Sequence, residues 1–87
     1  MSSSISTNTI LNLEFNYEDE IEKLALRTLA DGYIETKDIK IFHGFIGLWC
    51  VKRNKDMYSF NDQMKIMNNM NENEMLSYAN FILDKVT

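Results

Sequence analysis

The run from Ile39 to Val51, IKIFHGFIGLWCV, limits this chain more than any other stretch. Wound as a helix, its apolar residues cover most of the circumference: Ile39, Ile41, Phe42, Phe45, Ile46, Leu48, Trp49, Cys50 and Val51. Such a helix is one that others surround. It is 13 residues long and carries Lys40 and His43, whereas crossing a bilayer takes about 20 apolar residues. The run is therefore expected to be the hub of a water-soluble core, in a helix from Glu35 or Thr36 to about Arg53.

The remainder of the chain suits that hub. There is no proline and there are only three glycines among 87 residues, so few positions force a break, which favours helices. A first helix is expected to open at Asn16, with Asp19 three residues on and Glu18, Asp19 and Glu20 crowding the positive end of its dipole. Its buried stripe reads Ile21, Leu24, Ala25, Leu26 and Leu29, and Gly32 is the expected terminator. Ser59 with Asp62 marks a third helix. Asn71 with Glu74 is the clearest capping box in the chain, ahead of a stripe of Met75, Tyr78, Ala79, Ile82 and Val86. Upstream, ILNLEF alternates apolar and polar residues, which predicts an extended arm on the helices or a strand paired with a second copy. The expectation is an all-α fold: a small bundle of about four helices with a short extended N-terminal arm. Residues 1–9 are expected to form a flexible tail and 10–87 a single helical domain.

LADGYIETKDI, residues 29–39, has the rhythm of the back half of an EF-hand calcium loop. With Gly32 at the sixth position, Asp31, Glu35 and Asp38 fall on ligand positions. The two leading carboxylate positions, however, are occupied by Arg27 and Leu29. The stretch is read as a corner between two helices, and no metal is expected.

A helix–turn–helix corner also raises DNA, with Lys37, Lys40 and His43 facing a groove. Against this stands the charge, −4 overall. Eight acids meet four bases up to Val51, and five meet five from Lys52 onward. No basic stripe is present to follow a phosphate backbone.

Catalytic constellations are missing. His43 is the single histidine and Cys50 the single cysteine. Two helical turns separate them, about 10 Å along a helix axis and beyond hydrogen-bond reach. Cys50 reads as a small packed hydrophobe and His43 as a half-buried residue bonded to a carbonyl. No cofactor is expected, and no enzyme.

Two features point instead to a protein partner. Gly44 and Gly47 each cost a helix about 1 kcal/mol relative to alanine. Spaced three apart, they form a notch for close packing, either within the fold or against a second chain. Met57, Met64, Met67, Met70 and Met75 concentrate in a short segment among asparagines, and methionine adapts to irregular partner surfaces. Met57, Met67 and Met70 are the expected contact residues. Glu18 and Glu22, at the acidic start of the first helix, form a second candidate patch that would steer association.

The chain thus reads as a small non-enzymatic protein–protein interaction module in the cytoplasm. It would act as an adaptor, assembly chaperone or inhibitor by occupying a partner protein's surface. A homodimer is open to a chain this short, whereas membrane and nucleic acid are disfavoured. Its asparagine, isoleucine and lysine usage is that of AT-rich genomes, bacteriophage among them, and suits a viral protein. The runner-up is a helix–turn–helix nucleic-acid-binding regulator.

Overall fold

Each helix begins where a side chain captures a free N–H group. The computed structural model describes residues 10–87, so the expected tail at 1–9 lies outside the described residues. Among the described residues there are four helices and no strand: α1 (Glu20–Thr36), α2 (Lys40–Arg53), α3 (Met57–Asn68) and α4 (Glu72–Val86). Asn71 and Glu74 form the expected reciprocal capping box at α4, with bonds of 2.8 and 2.9 Å.

The other boundaries shift, for identifiable reasons. Asp19 rather than Asn16 caps α1, accepting from the Glu22 N–H at 2.9 Å. Asn16 closes a tight turn just upstream, its side chain accepting from the Glu18 N–H. Asp56 rather than Ser59 caps α3, and the Ser59 N–H is the donor it captures. In both places a carboxylate three residues ahead of a free N–H holds the helix start, where the dipole also favours its charge.

Gly32 does not terminate α1. The helix runs on to Thr36 and ends at Lys37, whose φ of 59° is left-handed and whose N–H donates to the Tyr33 carbonyl. The lysine ammonium also reaches the Ile34 carbonyl at 2.7 Å, a favourable place for a cation at a helix C-terminus. Gly32 serves packing instead: a methyl group there would lie 3.2 Å from Ile41 Cδ1 of α2. The second helix starts at Lys40, four or five residues later than expected, because Thr36 and Asp38 shape the corner. The Thr36 hydroxyl donates to the Gly32 carbonyl and accepts from the Asp38 N–H. The Asp38 carboxylate then takes the Lys40 N–H.

Helix α1 packs most extensively against α4 and also meets α2, which in turn meets α3. The centre is aromatic. Tyr33 and Phe42 pack edge to face at 4.9 Å, Phe42 and Phe45 at 5.1 Å, and Phe45 and Tyr78 at 5.6 Å. The α4 stripe is buried as expected, and so is Trp49. The N-terminal arm is extended: Leu11, Leu13 and Phe15 enter the core while Asn12 and Glu14 face solvent. That is the alternation the sequence shows.

Two expectations about packing are corrected. The buried stripe of α1 is Glu22, Leu26, Ala30 and Tyr33, whereas Ile21 and Leu24 point outward. Helix α2 fully buries Phe42, Phe45, Ile46 and Trp49, a face of about 100° at helical spacing, so it is not surrounded. Both helices carry a second apolar face that the bundle leaves uncovered.

Candidate functional site: an open apolar trough between the first two helices

The uncovered faces of α1 and α2 adjoin. The two helices run antiparallel, as Gly32 meets Ile41, Leu29 meets Gly44 and Glu22 meets Arg53 along their lengths. On their outer side lies a trough of about 780 Å³, walled by Ile21, Leu24, Ala25, Thr28 and Leu29 of α1 and by Leu48 and Val51 of α2. Gly44 and Gly47 form its floor. Ile21 is 72% exposed, Leu24 65% and Val51 78%. Fully burying one such side chain is worth about 1.5–3 kcal/mol, so covering these three would contribute on the order of 3–6 kcal/mol. Exposed aliphatics that adjoin along one groove are candidates for docking, whereas single ones scattered over a surface are ordinary.

The glycines differ. A methyl group on Gly44 would meet Leu29 Cδ2 at 2.8 Å, so this glycine admits α1 to α2 within the fold. A methyl group on Gly47 would have nothing within 4 Å. Nothing inside the bundle requires a glycine there.

The residues expected to meet a partner are dispersed. Met67 and Met70 are buried in the core, where flexible thioethers fill irregular space. They have no outer face to offer, and placing them at an interface is corrected. Glu22 is corrected likewise. It is 1% exposed, paired with Arg53 Nη2 at 3.0 Å, and accepts the Asn16 N–H at 2.8 Å. It holds the start of α1 against the end of α2. Met57 and Glu18 are exposed, on the first turn of α3 and ahead of α1 respectively. They are not part of the trough.

The sequence did carry a signal for the trough. The apolar residues of α1 span too wide an arc for one core. Ile21, Leu24 and Ala25 lie on one side, with Leu26, Ala30 and Tyr33 on the other, so the helix carries two stripes and not one.

Groups capable of chemistry are poorly placed for it. Burial pushes the Cys50 thiol up, with the charge of Asp56 adding and that of Lys55 opposing, which suits an inert packed thiol. His43 faces solvent rather than a carbonyl in the interior. Asp31, Glu35 and Asp38 of the calcium-like stretch are exposed on a helix and its corner, not arranged around a loop. Among the described residues no three His, Cys, Asp or Glu side chains stand close enough to hold a metal ion. Again among the described residues, no helix is long and apolar enough to cross a membrane.

Fold and face together define a small all-α bundle with an open apolar trough on one side. No family model, curated protein or solved structure matches the chain.

Proposed function

We infer that this chain is a non-enzymatic protein-interaction module that docks another protein through the α1–α2 trough. Its work is to occupy a surface, as an adaptor, assembly chaperone or inhibitor does. One observation carries the reading: Ile21, Leu24 and Val51 stand exposed around a floor where Gly47 leaves open space. A surface of aliphatic walls and a glycine floor has no means of polarising a bond, but it can receive a helix or a matching face. The reading includes a cytoplasmic place of work, where the single free thiol of Cys50 stays reduced.

The test is capture from the cells that make the protein, with tagged wild type, Leu24→Asp and Met57→Asp compared side by side. A protein held by wild type and Met57→Asp but lost from Leu24→Asp, with circular dichroism unchanged, is the expected result. A partner held equally by all three would place docking elsewhere.

A further inference from the structure

We propose that the partner in the trough is a second copy of this chain, the two α1–α2 faces closing on each other about a two-fold axis parallel to the helices. This rests on the reading of the trough as a protein-docking face and names its occupant.

An isologous contact requires one face to be complementary to itself. This face is, first in charge. Helix α1 carries four acids against two bases, while α2 carries Lys40, Lys52 and Arg53 and no acid. Within the chain Glu20 pairs with Lys23 and Glu22 with Arg53. Asp31 and Glu35 on α1, and Lys40 and Lys52 on α2, are exposed and make no ion pair among the described residues. An acidic helix beside a basic one matches its own copy if α1 lies over the other copy's α2.

Shape selects the same arrangement. Rotation about an axis parallel to the helices leaves every residue at its own height, so the levels set by Leu29 with Gly44 and Glu22 with Arg53 carry over between copies. Ala25 and Thr28 of one copy then come level with Gly47 of the other. Small side chains over a glycine floor let the backbones approach closely. Ile21 and Leu24 flank Val51, and Glu35 comes level with Lys40, with Asp31 one turn away. An axis across the helices does the opposite. It would lay Asp31 against Glu20, like charge on like, and would leave Lys52 opposite His43 with no carboxylate to meet. Like charges directly opposed suppress a pairing.

The rest of this chain is a poor occupant. Residues 1–9 offer only Met1 and Ile5 as apolar side chains, too few for a trough with three protruding aliphatics. The outer halves of two helices also fall somewhat short of the roughly 20–30 residues a side of a standard interface, so a dissociation constant on the order of micromolar is expected.

Sedimentation velocity from about 1 to 500 µM, a range that spans such a constant, reads the result. Wild type should pass from monomer to dimer. Val51→Asp and Gly47→Gln should weaken that step by about tenfold or more while helicity is unchanged, the glutamine growing into space left open in the monomer. Lys40→Glu alone and Asp31→Lys with Glu35→Lys alone should each be monomeric. Their equimolar mixture should dimerise, since both charge junctions are then restored. Tighter self-association of Lys40→Glu would overturn the parallel axis. A dimer indifferent to Gly47→Gln and Val51→Asp would put the contact on another face and overturn the proposal. A wild type monomeric throughout would also overturn it; whether the trough docks any protein is decided separately by capture with Leu24→Asp.

Discussion

Arg53, the last residue of α2, donates from Nη2 to Glu22 Oε1 at 3.0 Å, and the same carboxylate accepts the Asn16 N–H through Oε2. The Glu22 side chain is 1% exposed and that of Arg53 28%. One side chain thereby ties together the N-terminal arm, the first turn of α1 and the end of α2. Removing one partner of a buried pair costs about 3–5 kcal/mol, and partial solvation of Arg53 lowers the figure to about 2–3 for Arg53→Met. Urea titration should show that loss. The double replacement Glu22→Met with Arg53→Met should be less destabilised than Arg53→Met alone, because it leaves no uncompensated buried charge.

Gly47→Ala should stabilise the monomer. The added methyl meets nothing within 4 Å, and alanine is favoured over glycine within a helix by about 1 kcal/mol. For a domain of this size that is a rise in melting temperature of about 4–8 °C, measured at a concentration where the protein is monomeric. Gly44→Ala should gain less, because its methyl displaces Leu29 Cδ2 from 2.8 Å.

The two methionines Met70 and Met57 should respond oppositely to the same change. Met70→Asp places a carboxylate in the core and removes packing, a loss of order 4–5 kcal/mol or more, close to the whole stability of a small domain. Far-ultraviolet circular dichroism should report an unfolded or nearly unfolded chain. Met57→Asp, on the exposed first turn of α3, should melt within a few degrees of wild type.

Alkali should loosen the fold, and Tyr78 should account for much of the effect. Burial pushes its phenol well above the ordinary 10.0, with Tyr17 adding to the shift and the Leu13 backbone offsetting only a part. Tyr17 and Tyr33 move in the same direction, chiefly through burial. Above pH 10 the unfolded chain has released protons that the folded chain still holds. Stability is therefore fully present below that pH and falls as pH rises, by up to about 1.4 kcal/mol per unit for each such group. Tyr78→Phe should reduce the slope. The Tyr78 hydroxyl is buried with the Leu13 backbone near it but no hydrogen bond of full geometry, so its removal should be close to neutral at pH 7. Urea midpoints between pH 7 and 11 would show both effects.

The helical class, the number of helices, the alternating arm, the α4 stripe and the Asn71–Glu74 box were all legible in the sequence. Each depends on residues within a few positions of one another: period, capping chemistry and the absence of proline. Local information was also enough to mark α2 as apolar all round, and Gly44 and Gly47 as a notch. It could not say which of two apolar faces on α1 turns inward. Ala30 and Tyr33 face the core because α4, far along the chain, packs on that side of α1, and Ile21 and Leu24 are left outside. The same limit applies to the methionines and to Glu22. Met67 and Met70 have the local character of adaptable surface residues, yet the fold buries both. Glu22 looked like one charge of an acidic run until Arg53, thirty-one residues on, came within 3.0 Å. Periodicity reports that a face is apolar; whether it is covered depends on contacts between segments distant in sequence, which no local pattern encodes.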